Sequence, residues 1–241
     1  CVAACPVQAV AHADLPPGAA QPLGATPEAD ALRHLLQHRR SVRNFTARPI
    51  EHTQWQALLA MMAHTPSGTN ARPMRATVVT DPERLAALTR ETVAMFAELL
   101  KMLASPLGRL ALRVALGGGA LALLQKNASA IAALVDAGRK GGDPILYRAP
   151  GALILRADRL AVCGHDDCVL AAMTAMLHAP TLGLATCMIG FLLPAFQRRP
   201  ALRTVIDLPR DHDVHAVLAV GYPAVRYHSA PPRPAIPVTW R

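Results

Sequence analysis

Four short apolar runs set the limits on what this chain can fold into. Residues 76–79, 152–155, 186–190 and 214–220 each have the length and β-branched or aliphatic content of a buried strand. Between them lie helical patterns of very unequal length, without the regular βαβ spacing of a doubly wound sheet and without a Gly-rich dinucleotide fingerprint after a strand. Strands spaced in this way predict an α+β fold. With 52% hydrophobic and 17% charged residues over 241 positions, a large aliphatic core is available and global disorder is excluded.

The helical segments announce their own ends. Thr26-Pro27-Glu28 reads as a helix start, with Leu32, Leu35 and Leu36 as its apolar face. A second helix is expected from about Thr53 to Ala63, with Trp55, Leu58, Leu59 and Met62 inward, closed by the turn-forming run Thr65–Asn70. Asp81-Pro82-Glu83 opens a third. Residues 91–135 are helical in pattern with breaks at Ser105-Pro106 and at Gly117-Gly118-Gly119; this triplet lacks the Lys-Ser/Thr of a phosphate loop. A long apolar helix is expected from Asp167 to Ala179.

Four stretches carry chemistry-bearing residues. In Arg39-Arg40-Ser41-Val42-Arg43, three guanidinium forks and a hydroxyl stand where helix gives way to extended chain, a donor set suited to a phosphate dianion. Pro66-Ser67-Gly68-Thr69-Asn70-Ala71-Arg72-Pro73 is a tight turn able to present backbone N–H groups and an amide to a heterocycle's edge. Leu182–Gly190 is a glycine-punctuated apolar strand that lets backbone approach a planar ring. Gly221-Tyr222-Pro223 is followed by Arg233 in a proline-rich tail. Alone, each has an ordinary structural explanation: solvated surface, helix-ending turn, core strand, tail arginine.

Their order is what matters, and it resembles the nitroreductase family over about residues 28–241. The resemblance implies a three-layer fold with a central, mostly antiparallel sheet flanked by helices, in an intertwined homodimer that binds FMN at its interface. It implies that Arg39, Arg40, Ser41 and Arg43, joined by Arg233, hold the FMN phosphate and ribityl chain. Pro66, Ser67, Gly68 and Asn70 would come from the partner subunit, and Met188, Ile189 and Gly190 would line the ring near N5. No acid–base pair or triad is required, because the flavin carries the chemistry. Arg72 stands where the family usually has Gln, and Met74 where it often has Trp, which leaves the substrate open. The implied activity moves electrons from NAD(P)H, or from a ferredoxin or other reduced iron–sulfur centre, to a small acceptor such as a nitroaromatic or quinone. The alternative is a flavin and iron–sulfur module that only relays electrons.

Residues 1–25 differ from the rest. Cys1-x-x-x-Cys5-Pro6 has the spacing of the last two cysteines of a bacterial ferredoxin run, so 1–25 reads as the remnant of a ferredoxin-type 4Fe-4S domain plus a linker, and 26–241 as the FMN-binding domain. Cys1 and Cys5 would be cluster ligands only in an intact protein extending upstream. Cys163-Gly164-His165-Asp166-Asp167-Cys168 lacks a second ligand pair of zinc-site spacing and reads as core and helix cap, and His34, His64 and His178 have no nearby nucleophile. The net charge of +9 suits anionic ligands, but the cations are scattered rather than interleaved with aromatics, which speaks against nucleic acid. The apolar stretch 103–124 is too interrupted for a membrane span, and five cysteines without a secretory signal point to a reducing compartment, the cytoplasm.

Overall fold

The computed structural model describes residues 23–241 and divides the chain into two compact units, 1–34 and 35–241. Cys1, Cys5 and nearly all of the proposed ferredoxin-type remnant lie outside the described residues. Helix α1 (Ala29–His38) begins in the first unit and ends in the second, and within it Arg33 pairs with Asp30 at 2.9 Å. No residue of α1 is buried, so its leucine stripe does not serve as a core face within this chain.

The second unit is built on strands β1 (Arg75–Val79), β2 (Gly151–Asp158), β3 (Ala185–Met188) and β4 (His212–Gly221). They form one sheet in the order β1-β2-β4-β3, every neighbouring pair antiparallel. Alternate residues of β2 explain why its sequence is apolar without interruption. Ile154 packs into one core with Val217, Ala219 and Phe96, while Leu153 and Leu155 pack into another with Leu218, Trp55 and Ala172. Helices α2 (His52–Met62) and α7 (Gly164–His178) cover the second face. On the first lie α3 (Pro82–Ala104), α6 (Ala128–Arg139), α8 (Leu192–Arg198) and α9 (Pro200–Val205). The result is helix, sheet, helix in three layers, as the resemblance implied.

Of the expected helix starts, Thr26 and Pro27 stay outside α1, which begins at Ala29, while Asp81 and Ser105 act as caps. The Asp81 carboxylate caps α3 by accepting from the Arg84 N–H at 2.8 Å, and Ser105 caps α4 (Pro106–Leu116) through the Gly108 N–H at 2.9 Å. Gly117, at φ +85°, separates α4 from α5 (Gly118–Lys126). These two helices leave Leu107, Leu110, Val114 and Leu123 exposed. Among the described residues no single helix is long and apolar enough to cross a membrane; a bent pair, α5 with α6, meets the length and composition test.

A bulge between Leu155 and Arg156 shifts the β2–β4 register and leaves His215 without a partner across the ladder. His215 stacks edge-on against His165 at 5.7 Å between centroids. Burial, then the neighbouring His165, lowers the His215 pKa below its ordinary 6.5, against the opposing pull of Asp213. The unfolded chain therefore binds this proton more readily than the folded one, and the His215 contribution is full above about pH 6.5 and falls as pH drops through that value. Thermal melts are expected to show a decline between neutral pH and pH ~5.5 that His215→Gln makes shallower.

Candidate functional site

The segment carrying the arginine cluster is held from two sides. Val42 donates its N–H to the Thr186 carbonyl on β3 at 3.0 Å, and Ser41 forms a parallel bridge with Thr186. On the other side Thr46 donates to the Tyr222 carbonyl at 2.9 Å and Ala224 to the Asn44 carbonyl at 2.9 Å, just past the end of β4. Val42 and Phe45 are buried, which turns Ser41 and Arg43 outward in the intervening positions. The pattern Arg-Arg-Ser-Val-Arg-Asn-Phe thus becomes a short extended strap, fixed by two apolar anchors, with cations on its free side.

Arg39 and Arg40 open into a cleft of about 650 Å³ with Thr186, Gly183, Arg226 and Tyr227 on its walls. Among the described residues, no acidic side chain lines it. Arg40 donates to the carbonyls of Arg39 and of Ser229 in the tail, both at 3.2 Å, so the tail is tied back beside the cleft. Arg43 sits outside it, against Tyr147, with its guanidinium carbon 5.7 Å from the ring centroid. Contact with the Tyr147 side chain, and secondarily the Cys187 sulfur, raises the Arg43 pKa above its ordinary value. Burial in turn pushes the Cys187 thiol up, with Arg43 opposing.

Tyr147 and Arg148 both adopt left-handed backbone, φ +59° and +56°, which costs non-glycine residues energy. Asp143 holds that conformation. Its carboxylate accepts from Thr89 Oγ1 at 2.7 Å and from the N–H groups of Leu146 (2.8 Å), Arg148 (2.9 Å) and Ile145 (3.2 Å).

The Pro66–Asn70 turn lies elsewhere. Asp167, in the first turn of α7 and 2% exposed, accepts the Gly68 N–H at 3.0 Å, and Thr65 pairs with Thr174 at 3.0 Å. The other carboxylate oxygen of Asp167 has no partner among the described residues. A side chain on Gly68 would strike Cys163 Sγ at 2.7 Å. Thr69, Asn70 and Arg72 all have positive φ, between +48° and +57°. The Arg-lined cleft instead reaches α7 near its other end, at Met176. Nine residues of helix, roughly 13 Å, separate the two attachment points along α7.

The remaining expected residues divide. Gly190 is exposed with open space around it, and Met188 is 39% exposed at the end of β3. Ile189 turns its side chain into the core and gives its N–H to the Val217 carbonyl at 2.8 Å. Arg233 is on the exposed tail and does not line the cleft; Arg226, which the sequence reading passed over, does. Its signal was position: it stands just beyond the segment that pairs with 44–46. Cys168 is buried, and burial pushes its thiol up to about 12, which fits the core reading of that run. A wider groove of about 1300 Å³, between α3, the start of α2 and the 138–150 loop, holds none of the expected cofactor residues.

A four-stranded antiparallel sheet between helical layers, with a cationic strap against its β3 edge, defines an architecture shared with known structures. A nitroreductase from Bacteroides fragilis solved with bound FMN superposes with a TM-score of 0.64 at 21% identity, covering 86% of this chain and 98% of that one. An FMN-dependent nitroreductase from Clostridium difficile gives 0.61 at 20% identity, covering 89% and 100%. Iodotyrosine deiodinase bound to FMN and 3-iodo-L-tyrosine gives 0.62 at 19% identity, covering 87% and 98%. No curated protein matches the sequence significantly. The nitroreductase family model matches residues 36–222, and the chain belongs to that family.

Proposed function

We propose that the protein is an FMN-dependent oxidoreductase passing electrons from NAD(P)H, or from a reduced iron–sulfur centre, to a small acceptor such as a nitroaromatic or quinone. The observation that carries this reading is the acid-free cleft with Arg39, Arg40 and Arg226 on its walls. Three guanidinium groups without a competing carboxylate suit a phosphate, and the cleft's volume lies within the range of cofactor sites. FMN, when bound, supplies hydride and single-electron chemistry. The protein's part is to hold and tune it. Arg39 and Arg40 would take the phosphate, Ser41 would add a hydroxyl, and Arg43, steadied by Tyr147, would add a further cation for the phosphate and ribityl end. Gly190 leaves room for close backbone approach.

The protein acts as a homodimer in this reading, with the Pro66–Asn70 turn of one chain completing the cleft of the other. The separation of turn and cleft along α7, and the exposed leucines of α4 and α5, support it. Cys1 and Cys5 belong to a cluster domain feeding the flavin, and the cytoplasm is the compartment. Cys163, Cys168 and Cys187 are free thiols, in keeping with a reducing environment.

The test is reconstitution with FMN, followed by NADH or NADPH oxidation with a nitroaromatic or quinone acceptor. Retained flavin and steady turnover are expected. Flavin reduced only by dithionite or ferredoxin, without turnover, would favour the electron-relay alternative; a protein that keeps no FMN would contradict both.

A further inference from the structure

Two residues beyond the turn's expected contact groups stands Arg72, the cation that departs from the family pattern. Arg72 has left-handed backbone, φ +48°, and is fixed there twice. Its N–H donates to Ser67 Oγ at 3.0 Å, and its Nε donates to Asn70 Oδ1 at 3.1 Å. The second bond matters for recognition. It engages one of the two lone pairs of the Asn70 amide oxygen and fixes the guanidinium beside the Asn70 amide group, so the pair is rich in N–H donors. Arg75 follows, with Nη1 donating to the carbonyls of Arg72 (3.1 Å) and Met74 (3.0 Å), and Arg156 stands opposite Arg75 in the β1–β2 register. Arg72 and Arg75 are exposed, and among the described residues neither has a carboxylate within salt-bridge distance.

A fixed, donor-rich pair whose guanidinium fork has no carboxylate partner among the described residues is a poor match for a donor-bearing edge. It is a good match for a planar anionic group, which accepts two parallel N–H bonds from such a fork. We infer that Arg72 is a specificity residue that selects acceptors bearing a carboxylate or a similar planar anion, oriented by the Arg72–Asn70 pair. The inference rests on the reading above, in which this turn faces the flavin site of a second copy. Gln at this position, usual where the family resemblance is strongest, would offer one donor, one acceptor and no charge.

The experiment uses the FMN-loaded protein and two non-reducible probes of the same shape, benzoate and benzamide, each titrated by its perturbation of the flavin absorption spectrum. Benzoate is expected to bind at least about tenfold more tightly than benzamide, a difference of one well-placed charged hydrogen bond. R72Q should remove that preference, and R72K, which keeps the charge but not the fork, should retain only part of it. Equal binding of the two probes by the unaltered protein would overturn the inference. So would an unchanged preference in R72Q, which would place the selecting charge elsewhere. A shift of the flavin potential in R72Q with the benzoate preference intact would assign the cation to the ring and also overturn it. Failure to retain FMN at all would instead defeat the flavin reading, a separate outcome seen before any probe is added.

Discussion

Asp143→Ala is expected to destabilise the fold by about 3–5 kcal/mol, since four donors lose one acceptor and three of them, the Thr89 hydroxyl and the N–H groups of Ile145 and Leu146, belong to buried residues. Against a typical total of roughly 5–15 kcal/mol that is a large share. The consequence reaches the site. Asp143 pins the turn in which Tyr147 and Arg148 hold positive φ, and Tyr147 is the surface against which Arg43 rests. Denaturant unfolding should show the lost stability, and FMN titration below the unfolding transition should show weaker binding. Asp143→Asn keeps one acceptor oxygen and should fall between the two. A variant as stable as the parent would remove Asp143 from this account.

The second large effect is on cofactor retention. Each charge-assisted bond to a phosphate contributes roughly 1.5–3 kcal/mol, so R39A combined with R40A should weaken FMN binding by about 10²- to 10⁴-fold. Both residues sit only half-buried at the cleft wall, and the melting temperature should move little by comparison. Lysine at both positions keeps the charge but not the fork and should recover only part of the affinity. Equilibrium titration followed by flavin fluorescence measures all of these.

Much of the architecture was legible in the sequence because local signals agreed with the tertiary demand. Asp81-Pro82 and Ser105-Pro106 carry a capping side chain and a fixed φ at the same place, and the structure starts a helix at each. The apolar run 152–155 needed no alternation because helices cover both sheet faces. Less visible were α8 and α9, short helices separated by Arg199 alone, whose burial comes from the sheet behind them and not from a periodic pattern of their own. The strand expected over 186–190 ends at Met188, because Ile189 plugs the core and the chain then turns into α8.

The site was legible in kind more than in detail. Arg39, Arg40 and the Ser67–Asn70 turn were marked by residue type and order. Asp143 and Tyr147 were not, since a left-handed pair without glycine leaves no compositional trace. Arg226 and Arg233 look alike in sequence. Only the pairing of 222–224 with 44–46 brings the first to the cleft.

The central claim is that the arginines of one chain and the turn of another form one flavin site, and mixed dimers test it most directly. One chain carries R39A and R40A with its turn intact; the other carries S67A and N70A with its arginines intact. Each variant alone should retain little FMN. Co-expressed and purified through two different tags, the mixed dimer has one site with both halves unaltered, and should regain a single tightly bound flavin per dimer. A mixed dimer that binds no better than either parent would show that both halves serve the same chain, and would contradict the account.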